Sequence, residues 1–341
     1  VDVTVDLSKL PLSVLDVVPV RSGSNAREAM AETLDLARHV DALGYHRYWF
    51  AEHHGMPGIA SAAPAVLVGQ VAAATKTIRV GSGGVMLPNH SSLVVAEQFG
   101  TLEALFPGRI DLGLGRAPGT DQATMKVLRR TPRPPLEDEF PEQLMELFGF
   151  FSGNFPANHP YKNIRAVPAA GNQPPIWLLG SSDYSAQLAG ALGLPFAFAH
   201  HFSKEQTLPA LRAYRACFKP SDVLKKPYAM VAALAVLADS DVEAERLALP
   251  NALAFLRLRR GEPGLYPTVQ EAQAHPWTPM EREFAADRMD GNLVGGPQRA
   301  RAQMEKLLSD TKADELMLLC AVPDHAARKR SYTLLRQIQK A

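Results

Sequence analysis

Residues 47–54 read RYWFAEHH, residues 78–90 read IRVGSGGVMLPNH and residues 110–116 read IDLGLGR. Each is a short run rich in β-branched, aromatic or aliphatic residues that breaks into polar or ionisable ones. Such runs, separated by longer stretches of helical period, are the signature of βα units and a parallel sheet. Similar runs lie at 12–18, 176–179, 196–199, 230–237 and 315–320, which brings the expected strands to eight.

Between them, 26–43 places Ala29, Met30, Thr33, Leu36, Ala37 and Val40 near helical spacing and ends at Gly44, a helix stop. Segments 64–74, 93–105, 181–192, 297–308 and 323–339 read as helices too, Pro297 sitting in a first turn where its missing N–H does no harm. The expected fold is α/β, a (β/α)8 TIM barrel with insertions, residues 1–341 forming a single domain. Excursions are expected at about 117–135 and 152–175, and a lid at about 257–296, where Pro263, Pro267, Pro276 and Pro279 interrupt a charged stretch.

In a parallel barrel all strand C-termini open on one face, where barrel active sites lie. Glu52, His53 and His54 follow the second strand, Asn89 and His90 the third, Arg116 the fourth, Gly180, Ser181 and Ser182 the fifth, and His200 and His201 the sixth. These groups are expected to meet at one mouth. Ser181 and Ser182 read equally as a helix N-cap or as an anion site, where free N–H groups and the helix dipole favour a phosphate. Arg116 reads as its counter-charge or as a surface ion pair.

His53 and His54 are adjacent, so they point to opposite sides and one is expected to be structural. That spacing, without a carboxylate or cysteine cluster, gives no expectation of a metal. Gly113, Gly115 and Gly119 fail the dinucleotide fingerprint at Pro118. Gly81, Gly83 and Gly84 mark a bulge or a close approach of backbone to a ligand.

The chain has 341 residues, 46% hydrophobic and 21% charged, with 36 Lys and Arg against 35 Asp and Glu. That balance gives no pull toward nucleic acid. Cys217 and Cys320 lack any paired spacing and read as free thiols of a reducing compartment, and residues 1–10 lack a signal-peptide pattern, so the expected location is cytoplasmic. The longest apolar stretch, 230–238, is far short of the roughly 20 residues of a spanning helix, so no membrane association is expected.

Tyr48 to His54, 78–88 and 106–121 (FPGRIDLGLGRAPGTD) together resemble the bacterial-luciferase-like flavin-dependent monooxygenases, over nearly the whole chain from about residue 12. The resemblance implies a β/α barrel, often a homodimer, that uses reduced FMN and O2 as co-substrates on a small organic molecule. The reduced flavin is usually delivered by a separate NAD(P)H:flavin reductase.

Residue by residue, it implies His53 as the active-site histidine and Arg116, Gly180, Ser181, Ser182 and Ser185 around the flavin phosphate. It places a non-proline cis peptide near Gly83 and Gly84 under the flavin ring, with Met86 and Asn89 beside the cofactor. Glu52, His90 and His201 are pocket candidates. The family's acidic residue at the phosphate site is Ser181 here. Flavin- or deazaflavin-dependent reduction without oxygenation, and flavin binding without catalysis, are the alternative activities. A metal-dependent barrel hydrolase would need a ligand cluster that the sequence does not display.

Overall fold

The computed structural model describes residues 6–129 and 139–340. Its strands are β1 (Leu12–Asp16), β2 (Arg47–Phe50), β3 (Arg79–Met86), β4 (Ile110–Gly115), β5 (Ile176–Gly180), β6 (Phe196–Phe198), β7 (Ala229–Leu237), β8 (Leu293–Gly295) and β9 (Glu315–Leu319). β1 to β7 and β9 pair in sequence order, all parallel, and β6–β7 and β9–β1 contacts close the ring. The result is an eight-stranded parallel barrel ringed by helices, as the strand pattern predicts. The three residues of β8, too few to stand out as an apolar run, pair with Ala235, Val236 and Leu237 of β7.

Alternation along the strands makes two cores. Outward residues such as Val14, Tyr48, Phe50, Val80, Ile110, Leu112, Phe196 and Leu316 join the apolar faces of the surrounding helices. Inward ones, including Leu15, Trp49, Trp177, Met230 and Met317, fill the lumen, with the Trp49 and Trp177 rings edge to face at 5.2 Å. Burying this aromatic surface drives closure.

At the N-terminal base of the barrel the inward positions are charged. Arg47 donates to Asp111 at 2.7 Å and to Glu315 at 3.1 and 3.2 Å, and Arg79 donates to the other oxygen of Asp111 at 2.7 Å. Tyr228 and Ser13 donate to Glu315, and the Trp49 indole to Asp111. Both carboxylates are thereby saturated, as buried charges require.

Helix ends follow their local chemistry. The Asn25 side chain caps helix Ala26–Ala42, and Gly44 and Gly193 turn the chain at positive φ after helices Ala26–Ala42 and Asp183–Leu192. The segment at 257–296 differs from the sequence reading in its structure: it carries the end of helix Asp241–Arg259, then helices Val269–Ala274 and Pro279–Met289. Pro279 starts the last of these at its first turn, behind a capping box of Thr278 and Glu281, so a proline read as an interruption is a helix start. Thr268 and Glu271 form a second capping box. Trp277 is buried in a satellite core with Leu253, Leu256, Ala272 and Ala285, whereas Leu265 is exposed.

The stretch at 152–175 has no helix or strand beyond Ser152 and packs against helix Ser92–Leu105, where a side chain at Gly100 would strike Ala169. Of the excursion at 117–135, 117–121 is a loop leading into helix Gln122–Arg129, and 130–135 lies outside the described residues. Among the described residues, no helix is long and apolar enough to cross a membrane.

Candidate active site at the barrel mouth

The mouth is floored by backbone. The Gly83–Gly84 peptide is cis, where the resemblance places it, and the β3–β4 register shifts between Gly83 and Val85, giving the irregularity that the glycine run predicts. A Cβ on Gly83 would lie 3.0 Å from Leu15 and 3.1 Å from Trp49, one on Gly84 2.8 Å from the Gly113 carbonyl, and one on Gly113 2.2 Å from the Ser82 carbonyl. Side chains are thus excluded where β3 and β4 run closest.

Glu52, just past β2, is fully buried and organises the rim. Its Oε1 accepts from His54 Nε2 at 2.7 Å and His90 Nε2 at 2.8 Å, and its Oε2 from the Met86 N–H at 2.9 Å. Burial pushes its pKa up, but the His90 and His54 hydrogen bonds and charge outweigh burial and hold it below the usual value. Glu52 therefore holds two strand ends together from beneath the surface.

These three side chains also correct the sequence argument that no carboxylate–imidazole cluster exists, since one donor atom from each lies within 4.8 Å of the others. His54 is near Glu52 in sequence, but His90 arrives only through β2–β3 pairing, which spacing along the chain could not reveal.

His53 has a different partner from His54, as the adjacency argument requires. Its Nδ1 lies 3.2 Å from the Gly119 carbonyl. A carbonyl only accepts, so Nδ1 carries the proton in the neutral ring and Nε2 keeps its lone pair. Burial lowers the His53 pKa from 6.5, against the partial opposition of that carbonyl, so the ring is neutral at pH 7. Asn89 is buried and donates to the Pro118 carbonyl at 2.8 Å, holding the same loop, while Met86 packs against Gly115 and Gly119.

On the next two strand ends, Arg116 lies over the Tyr184 ring, its Cζ 4.0 Å from the centroid. Tyr184 is in the first turn of helix Asp183–Leu192, so Arg116 and Ser182 share one corner of the mouth. Ser182 occupies the N-cap position, yet its side chain makes no capping bond, and Ser181 and Ser182 are exposed. The helix begins two residues later than the sequence reading places it. Ser185 is buried beneath Gly180, its Oγ 3.0 Å from where a Cβ there would stand.

From β6, His201 Nδ1 donates to the Ala232 carbonyl at 2.9 Å, and burial pushes its pKa down to about 4. His53 is near enough to act on that protonation. His200 is instead spent on structure, between Thr207 and the Gly291 carbonyl. Sequence reasoning had no signal for Tyr184 as the platform for Arg116, for the Gly119 carbonyl that orients His53, or for the polar groups of 251–288.

An uncapped helix start beside an exposed guanidinium suits a phosphate, and the glycine backbone suits a flat ring lying close against it. These residues fit a phosphorylated planar cofactor, and the fold defines the class as a barrel enzyme with its polar groups at the C-terminal mouth. The model of the luciferase-like monooxygenases matches residues 11–315, and the chain belongs to that flavin-binding family.

The chain is 50% identical over 331 residues to a luciferase-like monooxygenase of Escherichia coli strain K12, covering 97% of each. It is also 50% identical over 329 residues to the Bacillus subtilis protein YvbT, covering 96% of each. The crystal structure of apo-MsnO8 superposes with a TM-score of 0.87 at 35% identity, over 96% of this chain and 98% of that one. The protein is accordingly a flavin-dependent oxidoreductase of the oxygen-incorporating kind.

Proposed function

We propose that the protein uses reduced FMN and O2 to oxygenate a small organic substrate, the reduced flavin arriving from a separate NAD(P)H:flavin reductase, as a homodimer in the cytoplasm. The observation that carries this reading is the meeting of Arg116 and the free Ser182 N-cap at one corner of the mouth that also holds His53. Arg116, Ser181, Ser182 and the first N–H groups of helix Asp183–Leu192 would hold the flavin phosphate. Gly83, Gly84 and Gly113 would lie under the ring system. Bound in reduced form, the flavin would supply the electrons that activate dioxygen.

The protein's own contribution is binding, orientation and proton handling. Nε2 of neutral His53 is the base that takes up or returns a proton, held in direction by the Gly119 carbonyl. Glu52 fixes the His54 and His90 rim and keeps Met86 in place. The segment at 257–296, with its two capped helices, is the cover that limits water.

The test is anaerobic titration of the protein with reduced and with oxidised FMN, followed by mixing with oxygenated buffer. The reading expects tighter binding of the reduced form. His53→Ala should keep flavin affinity within about twofold and lower turnover by 10²-fold or more, on the order of general acid–base contributions. Equal affinity for both redox forms and unchanged His53→Ala turnover would refute it.

A further inference from the structure

Arg288 lies in helix Pro279–Met289, and its Nη1 donates to the His201 carbonyl at 2.6 Å while Nη2 donates to Asn251 Oδ1 at 3.2 Å. Its Nε is buried without an acceptor. A guanidinium carries five N–H donors, so the protein leaves a face of this one unsatisfied. Among the described residues, no carboxylate lies within ion-pair distance of it. The other enclosed arginines are treated differently: Arg47 has Asp111 and Glu315, Arg328 has Asp16, and Arg109 has the carbonyls of Ala72, Thr75 and Ile78.

A second observation points the same way. Tyr266, whose bridge to Arg21 ties the covering segment to the loop after β1, is 7% exposed; its buried hydroxyl makes no hydrogen bond of normal length and interacts with Asn251, the residue that also accepts from Arg288. Tyr266 and Arg288 lie within electrostatic reach of each other. An unsatisfied guanidinium edge and a buried phenol hydroxyl are thus linked through Asn251, with Arg288 also tied to the His201 carbonyl. Buried donors without acceptors are costly and each calls for an explanation, and the oxygens of an anionic ligand would satisfy a cationic one.

Phe255 lies 4.0 Å under the Arg288 guanidinium and joins Phe202 and Phe284 in an aromatic wall, with ring centroids 6.0 and 6.3 Å apart.

We propose that the substrate is a small organic carboxylate with a hydrocarbon body, its carboxylate received by the Nε edge of Arg288 and the Tyr266 hydroxyl and its body lying on the Phe202–Phe255–Phe284 wall. The inference rests on the reading of the mouth as the flavin site and names the substrate class for it. An arginine edge takes a carboxylate through two parallel N–H···O bonds, which an amide cannot reproduce. His201 is near both Arg288 and His53, so the oxygenated carbon would lie a few bonds from the acid group.

The experiment is a calorimetric titration with octanoate and octanamide, on protein carrying reduced FMN under anaerobic conditions and on flavin-free protein. Octanoate should bind at least tenfold more tightly than octanamide to the native protein. In Arg288→Met that preference should fall to within twofold, with Arg288→Lys keeping part of it and both variants binding FMN like the native chain. Equal binding of the two probes, or binding of neither, overturns the proposal. Loss of the FMN-over-riboflavin preference in Arg288→Met also overturns it, because Arg288 would then serve the flavin phosphate. A failure of FMN to bind the native protein would sink the flavin reading alone, since the comparison on flavin-free protein still decides the anion site. Should Arg288→Met not fold, the native and Arg288→Lys titrations decide.

Discussion

The two ends of the barrel use the same kinds of residue to opposite effect. At the base, Arg47, Arg79, Asp111, Glu315, Ser13, Tyr228 and Trp49 satisfy one another across five strands and the flank of a sixth. At the mouth, Ser182 caps nothing, Arg116 lies exposed over an aromatic ring, His53 keeps a lone pair, and Arg288 holds a buried donor without an acceptor. A closed network adds to specificity of folding but has nothing left for a ligand. The open end gives up that closure, which is what binding requires.

The comparison breaks first at the base if it is wrong. Arg47→Met takes the arginine partner from buried Glu315 and leaves Asp111 with Arg79 alone, and about 3 to 5 kcal/mol of stability should be lost in denaturant unfolding. Flavin affinity of the folded fraction should change less than twofold. A milder cost, with weakened flavin binding, would mean that base and mouth are not separable.

The next effect is in pH. His201 has a folded pKa of about 4 against 6.5 when unperturbed, so between these values the unfolded chain binds the extra proton. Stability is therefore full above pH 6.5 and falls as the pH drops toward 4, by roughly 2 to 4 kcal/mol. His201→Asn keeps a donor for the Ala232 carbonyl and removes this titration, so its unfolding free energy should fall less steeply over that window, with His39, His46, His53 and His200, all lowered from 6.5, keeping their share. An unchanged slope would assign the acid sensitivity elsewhere.

Smaller still, Arg116→Ala should cost about 1.5 to 3 kcal/mol of FMN affinity, a loss of more than tenfold, while leaving the melting temperature nearly unchanged. Ser182→Ala should change stability by only a few tenths of a kcal/mol, below the usual cap loss of about 1, because its hydroxyl makes no capping bond in the protein alone. A full cap penalty would show that this serine is structural after all.

Much of this contrast was legible along the chain. Eight strand runs and the glycine stops of two helices are local patterns, and a parallel barrel then forces Glu52, His53, Asn89, Arg116 and Ser182 to one face. What was not legible depends on partners far away in sequence. The Glu52–His90 bond needs β2 beside β3, the Arg116–Tyr184 stack needs β4 beside β5, and Arg288 sits among Arg282, Glu283 and Asp287, all exposed, with nothing local to distinguish it. Pro279 misled because proline starts helices as readily as it breaks them.

The measurement that bears most directly on the mouth is the affinity of reduced FMN against reduced riboflavin for the native protein and Arg116→Ala. The native chain should favour FMN by more than tenfold, and the variant should lose most of this preference. Equal affinity of the native chain for the two flavins would contradict it, because the helix start and the arginine would then not be receiving a phosphate.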